Sequence, residues 1–375
     1  MILPLDFENR MKAQLGPLPY SNFIDALNQD APTSIRINPN KLQHKPSLEP
    51  VSWSEFGFYL NQRPNFSSDP LWHAGYYYVQ EAGSMLIEKA FKKIKSYTSK
   101  PLKVLDLCAS PGGKSTHICS LLNMDDLLVA NEVIQSRVAT LHENLHKHGW
   151  PNVIVCNADS EDFVKANVKF DVILVDAPCS GEGLFRKDPE AVNHWNLDNV
   201  QTCELRQKRI LDNAIQCLNE DGFIVYSTCT YNPYENSHQI EELIQKGFQK
   251  IEFDFENTSV SEKQFYPHEQ KSEGFYMALL QNTNTESNSN NLSNTSNIKK
   301  IKTTDEYSKL LNNDTEFYGF KNEILAIQSH VFDFYSNGLS KLRIHSIGQL
   351  IGTQKDKLFL PSEQLSFYKN INTSA

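Results

Sequence analysis

Residues 102–115 read Leu-Lys-Val-Leu-Asp-Leu-Cys-Ala-Ser-Pro-Gly-Gly-Lys-Ser. The run opens as a short apolar strand, turns at Pro111-Gly112-Gly113 and continues as a helix from about Lys114. A glycine-rich turn between strand and helix lets a ligand approach backbone amides at a helix N-terminus. By itself this does not separate two kinds of nucleotide fold. Cys108–Ser115 (CASPGGKS) departs from the P-loop pattern GxxxxGKS only at its first residue, and VILVD (172–176) resembles the apolar strand ending in a magnesium-binding Asp.

The sequence on either side decides between them. LLVAN (127–131), VIVCN (153–157), FDVILVD (170–176) and GFIVYST (222–228) are four further strand patterns, with helical stretches reaching His148 and covering about 200–218. Strands alternating with helices predict a parallel, doubly wound α/β sheet, and segments around 249–254 and 274–280 suggest a closing antiparallel hairpin. Three features oppose an NTPase. Cys108 carries a side chain where a P-loop turns on glycine. Glu132, 18 residues after Lys114, ends the second strand, where Rossmann-like folds hold a ribose diol and P-loops assign no role. The segments after strands four and five are cysteine motifs with no part in NTP hydrolysis. Candidate ligands thus follow successive strands: Cys108, Ala109, Ser110, Pro111, Gly112, Gly113 and Lys114, then Glu132, Asp159 and Asp176. An isolated acid at such a position is more often a helix cap or surface charge, but four in register point to the carboxyl edge of the sheet as a binding site.

Composition bounds the rest. Of 375 residues, 39% are hydrophobic and 22% charged, which describes a globular chain of two or three domains. The start, MILPLDFENRM, lacks an apolar signal region and no apolar run approaches the roughly 18 residues of a membrane span, so a cytoplasmic protein without a membrane partner is expected. Seven cysteines, an odd number with no zinc-type CxxC pair, favour reduced thiols and no metal site. Nothing implies an oligomer. The net charge of −9 is unusual for a nucleic-acid protein, but residues 298–375 carry ten Lys/Arg against eight Asp/Glu. Lys89, Lys92, Lys93, Lys95, Lys100 and Lys103 form a local run that reads equally as a solvated helix face or a phosphate-binding patch. Asn, Ser and Thr fill 14 of the 20 positions 281–300, which reads as a flexible linker to a small appended domain at 301–375.

Two cysteines differ from the rest. Cys119, Cys156, Cys203 and Cys217 fit as small buried hydrophobes. Cys179, in Asp176-Ala-Pro-Cys-Ser-Gly-Glu-Gly183, and Cys229, in Ser227-Thr-Cys-Thr-Tyr-Asn-Pro-Tyr-Glu-Asn236, each follow an apolar strand in a turn-forming context. Asn232, Pro233 and Glu235 predict a helix start just after Cys229, which would favour a thiolate there. A thiolate adding to carbon 6 of cytosine makes carbon 5 nucleophilic enough to attack an electrophilic methyl group. An acid near N3, with Asp176 the candidate, would stabilise charge on the ring, and the base would have to be unstacked to receive the nucleophile.

LDLCASPGGK, DAPCSGEG followed by RKDP, and STCT followed by EN together resemble the Sun/nucleolar-protein family of RNA cytosine-C5 methyltransferases. RIN (36–38) and YYVQEAGSM (77–85) resemble its N-terminal segments, so the likeness covers about 30–280. The resemblance implies a Rossmann-like S-adenosylmethionine methyltransferase domain at 101–280, an N-terminal RNA-contacting region at 1–100, and a C-terminal RNA-binding domain of α+β, PUA-like type. It implies S-adenosyl-L-methionine bound by the 108–114 loop, Glu132, Asp159 on the adenine side, and Asp176 between cofactor and cytosine. Cys229 would be the nucleophile and Cys179 would assist product release; the motifs alone do not rank them, since DNA enzymes use the Pro-Cys position. Arg186 and Lys187 are expected at RNA phosphate, with a surface ion pair to Asp188 as the alternative. Ser272-Glu-Gly-Phe275 departs from the family's Gly-Glu-Gly-Phe. The tail resembles that of the bacterial subgroup acting on 16S ribosomal RNA, within the small subunit or free. Transfer RNA, and a non-catalytic RNA-binding or ribosome-assembly factor, are the alternatives.

Overall fold

The computed structural model describes residues 1–42, 44–284, 297–302, 307, 309–311, 315–356 and 358–368. At its centre five parallel strands follow the predicted order of elements: β1 (Lys103–Asp106), β2 (Leu127–Asn131), β3 (Val153–Cys156), β4 (Phe170–Asp176) and β5 (Leu218–Thr228). They continue into β6 (Phe248–Lys250), β7 (Glu262–Phe265), β8 (Phe275–Asn282) and β9 (Ile344–Ile347). The spatial order is β6-β8-β5-β4-β1-β2-β3-β9, with β7 also pairing β8. The inner strands are covered on both faces, which is why FDVILVD is nearly all apolar. Val172, Ile173, Leu174 and Val175 are completely buried, each stabilising the fold by about 1.5–3 kcal/mol.

Register then builds the site edge. Asp106 pairs with Ala130 on one side and Leu174 on the other, Asn131 with Cys156, and Asp176 with Ser227. The carboxyl ends of the strands are therefore nearly level. Helices α1 (Gly113–Leu121), α2 (Gln135–His148), α3 (Ser160–Ala166) and α4 (Leu197–Gln216) connect the strands in turn, and α5 (Ser237–Gln245) follows β5. The expected closing hairpin is in part a longer excursion. β8 inserts between β5 and β6, while Phe253–Phe255 turns away to pair with Thr258–Val260.

The N-terminal segments are packed against the unit that carries the central sheet. Four strands order as Glu49–Pro50, Gly57–Leu60, Thr33–Ile37 and Tyr77–Val79. The wholly buried Arg36 guanidinium donates to Gly113 O at 2.7 Å, Gln80 Oε1 at 2.7 Å and Thr116 Oγ1 at 2.8 Å, gripping the first turn of α1. Asn38 donates to Gly75 O and His148 O. Helices Leu5–Leu15 and Pro17–Leu27 contribute Phe7 and Phe23, whose rings lie 5.0 Å from Phe185 and 5.2 Å from Tyr231, on the loops that follow the two motif cysteines.

The C-terminal residues depart from the expectation of a unit placed apart. Strands Lys299–Lys300, Glu316–Phe320, Glu323–Ile327, Gln349–Lys355 and Leu358–Pro361 form a five-stranded sheet of their own. β9, however, leaves that sheet and pairs antiparallel with β3. Val331, Tyr335 and Leu339 share one hydrophobic core with Leu105, Phe163 and Phe170. Of the linker expected at 281–300, residues 281–282 complete β8 and Lys299–Lys300 form a strand, while 285–296 lie outside the described residues. The lysine run is largely structural. Lys92 pairs with Glu88 at 2.6 Å and Glu55 at 3.0 Å, Lys95 with Asp126 at 3.0 Å, and Lys103 sits over the Phe334 ring. Among the described residues, no helix is long and apolar enough to cross a membrane, and no group of His, Cys, Asp and Glu is arranged to hold a metal ion.

Candidate active site

A cleft of about 960 Å³ opens along the carboxyl ends of β1–β5. Its walls include Cys108, Ser110, Glu132, Asp159, Asp176, Cys179 and Cys229, so seven of the candidates predicted from sequence meet in one space. The others stand behind it. Gly112, the residue before α1, has φ 109°, a conformation suited to glycine, and a Cβ there would meet Asn144 and Leu141 of α2. Gly113 faces Tyr78 and supplies its carbonyl to Arg36, the Pro111 carbonyl accepts from Asn144, and Ala109 is packed in the core. These residues shape the turn rather than line the cleft.

Lys114 also turns from the expected role. Its Nζ lies 2.7 Å from Asp176 Oδ2 and 5.0 Å from the Phe275 ring centroid. Burial disfavours its charge, but the neighbouring Asp176 carboxylate outweighs that and raises its pKa. The lysine that a P-loop would aim at phosphate is here bound to the end of β4. Asp176 Oδ1 accepts from Ser227 Oγ at 2.8 Å, so both carboxylate oxygens are fixed. Asp106 ends β1 out of solvent, where burial pushes its carboxyl up to about 7 and Ser115 donates to it at 2.6 Å.

The two cysteines meet at one end of the cleft, their Sγ atoms 3.1 Å apart, with the Cys229 amide donating to Cys179 Sγ at 3.4 Å. The Cys179 thiol is held above its ordinary range, first by the hydrogen bond shared with Cys229 and then by burial. The helix expected right after Cys229 begins only at Ser237. Asn232 instead caps a turn by accepting from the Glu235 amide at 2.9 Å, so no helix N-terminus acts on the Cys229 sulfur. The loop after Cys179 is anchored through the fully buried Glu182, which takes Trp195 Nε1 at 3.0 Å and the Tyr231 amide at 3.1 Å, with the Arg10 guanidinium 2.8 Å away. A Cβ on Gly274 would lie 2.6 Å from Gly183 Cα, so the Ser272–Phe275 segment keeps its glycine where it crosses the Cys179 loop.

Glu132 is 4% exposed at the end of β2, accepting from the Ile134 amide at 2.8 Å, with Arg137 3.4 Å away. Asp159 caps α3 and is paired with Arg209, at 2.7 and 3.1 Å. Sequence reasoning missed Arg209, Arg206 and Thr202 of α4, and the exposed apolar residues Val133, Ile134 and Leu205 that face the cleft. An apolar pair directly after a strand-ending acid was the available signal. Arg186 does not offer its guanidinium to solvent. It makes a two-pronged ion pair with Glu273, both contacts 3.1 Å, and donates to Ser272 O at 2.8 Å, with its side chain 5% exposed. Its acidic partner is thus Glu273, not Asp188, and only Lys187 of the two is exposed.

Residues 98–281 match the model of the family described as 16S rRNA methyltransferase RsmB/F, and residues 3–82 match that of the N-terminal domain of 16S rRNA methyltransferase RsmF. A ribosomal RNA small subunit methyltransferase F from Vibrio cholerae serotype O1 is 35% identical over 291 residues, covering 70% of this chain and 60% of the relative. The protein of that name from Escherichia coli O9:H4 is 33% identical over 298 residues, covering 72% and 61%. The chain therefore spans less than two thirds of the length of these relatives. Among solved structures, a methyltransferase homolog protein from Pyrococcus horikoshii has 25% identity and a TM-score of 0.59, over 73% of this chain and 98% of its own. NSun6 from Pyrococcus horikoshii with SFG shares the fold, with 20% identity and a TM-score of 0.65 over 75% and 99%. With both family models matched in order along a Rossmann-like sheet that carries paired cysteines at its edge, the chain belongs to the RsmB/F family of 16S rRNA methyltransferases.

Proposed function

We propose that this protein is an S-adenosylmethionine-dependent RNA cytosine-C5 methyltransferase that forms 5-methylcytosine in 16S ribosomal RNA, in the cytoplasm. The observation that carries the reading is the 3.1 Å approach of Cys179 and Cys229 beside Asp176 in a cleft bordered by Glu132. The residues fit the cofactor. Glu132 is a strand-end carboxylate suited to a ribose diol, Val133, Ile134 and Leu205 offer apolar surface to a flat ring, and Cys108, Ser110 and Asp159 complete the walls. Bound there, S-adenosylmethionine supplies an electrophilic methyl group.

The chain's own residues do the rest. The Cys229 thiolate adds to carbon 6, and the electron pair moves into the ring toward carbon 5. Asp176, fixed by Lys114 and Ser227, lies where charge gathers near N3. After methylation a base takes the carbon-5 proton, its electron pair re-forms the carbon-5–carbon-6 double bond, and Cys229 leaves carbon 6 as thiolate, with Cys179 assisting from hydrogen-bond distance. Lys187 is a phosphate contact, and the C-terminal sheet adds RNA-binding surface. The family match gives the 16S reading its weight over transfer RNA, and both cysteines with the full cleft oppose a non-catalytic factor. Incubation with S-adenosylmethionine and unmodified 16S RNA, followed by nucleoside mass analysis, should show 5-methylcytidine. Methylation of transfer RNA alone would replace the substrate, and methylation at another atom would overturn the chemistry.

A further inference from the structure

Glu235 lies outside the cleft, yet its carboxylate is where the two cysteine loops are joined. It belongs to the loop that carries Cys229, and it accepts from the Ser180 amide, next to Cys179, at 2.9 Å. Gln207 Nε2 of α4 donates to it at 2.7 Å and, at 3.0 Å, to the Pro178 carbonyl on the other side of Cys179. Asn232 Nδ2 donates at 2.5 Å, and the Glu235 carbonyl accepts from Tyr226 of β5 at 2.6 Å. All three partners of the carboxylate, one backbone amide and two side-chain amides, are donors, and the residue is fully buried. An ionised carboxylate satisfies that arrangement, whereas an amide would turn an NH2 group against one of the donors.

We propose that Glu235 is a positioning residue of the methyl-transfer site: by clamping the Cys179 loop onto the Cys229 loop it sets the sulfur–sulfur contact. This rests on the covalent reading above. The buried negative charge of Glu235 is among the influences that raise the Cys179 thiol, after the Cys229 hydrogen bond, burial and the charge of Cys229. The clamp therefore fixes the geometry of the pair and adds negative charge beside the Cys179 thiol. Fixing the loop matters because displacing a reacting group by about 1 Å costs on the order of 100-fold in rate.

The test uses the full chain and two variants, Glu235→Gln and Gln207→Leu. Without RNA, each protein is exposed to limiting iodoacetamide across a pH series, and alkylation of Cys179 and Cys229 is read by peptide mass. Removing the buried charge eases ionisation of Cys179, so its alkylation profile moves to lower pH in Glu235→Gln. Gln207→Leu keeps the charge, and there the Cys179 profile stays near wild type. With substrate RNA and S-adenosylmethionine, covalent-complex formation falls about 100-fold in Glu235→Gln, and to a smaller extent in Gln207→Leu, at unchanged cofactor affinity. A Cys179 profile that does not move in a folded Glu235→Gln protein overturns the proposal, as does adduct formation at the wild-type rate. If Glu235→Gln does not fold, Gln207→Leu carries the test, and a wild-type adduct rate there overturns it. Failure of the wild type itself to form adduct would instead sink the covalent reading, while the alkylation profiles still report on Glu235.

Discussion

Both oxygens of Asp176 are already engaged, one by Lys114 and one by Ser227, and Arg186 is likewise committed to Glu273. Residues of one motif thus divide between chemistry and scaffolding by the partners that distant chain segments bring. Arg186→Ala leaves Glu273 buried without its cation, so it should cost about 3–5 kcal/mol of stability, read by denaturant unfolding. Lys187→Ala, at an exposed position, should leave stability within about 0.5 kcal/mol of wild type and weaken RNA binding at low salt. If the two variants exchange these behaviours, the assignment of the pair is wrong. Glu132→Ala should weaken S-adenosylmethionine by about 1.5–3 kcal/mol, the range for a hydrogen bond to a charged group. Equal affinities by isothermal titration would remove Glu132 from the site, and tight magnesium-ATP binding would revive the P-loop.

β9 shows what local sequence withholds at the scale of elements. Its residues, within KLRIHSIGQLIG, look like an ordinary strand of a small appended domain, and nothing local says that they pair with β3, almost 200 positions earlier. The five parallel strands were legible because each is a contiguous apolar run beside its own turn, and for the same reason the Cys108 loop, Glu132, Asp176 and both cysteines were. Arg209 on Asp159, Glu273 on Arg186 and the delayed start of α5 were not, since each depends on contacts across the fold. The β9 seam has a titratable consequence. His142 of α2 meets the His146 ring at 4.3 Å and, across the seam, the His345 ring of β9 at 4.8 Å, both edge to face, with Arg343 and Tyr368 beside the cluster. Burial, aided by neighbouring histidines, lowers His142 to about 3 and His146 to about 4, and burial and Arg343 lower His345. The unfolded chain therefore takes up protons below about pH 6.5 that the folded chain refuses until about pH 4, so stability falls as pH drops through that window. Melting temperatures should decline from pH 7 to pH 5, and less so for His146→Asn. An equal decline in both proteins would place the pH sensitivity elsewhere.

Across the described residues the N-terminal helices brace the cysteine loops, and β9 of the C-terminal region completes the central sheet. A chain ended at residue 284 loses β9 and bares the apolar surface around Phe163 and Phe170, so it should melt lower or aggregate. A truncated protein as stable as the full chain would contradict this packing. The central claim, that Cys229 attacks the base and Cys179 acts afterwards, is tested most directly by denaturing electrophoresis of Cys179→Ala and Cys229→Ala with substrate RNA and S-adenosylmethionine. Cys179→Ala should add to carbon 6, receive the methyl group and stall, giving a shifted, detergent-resistant band after about one turnover, while Cys229→Ala gives none. A band for Cys229→Ala and none for Cys179→Ala would reverse the two roles.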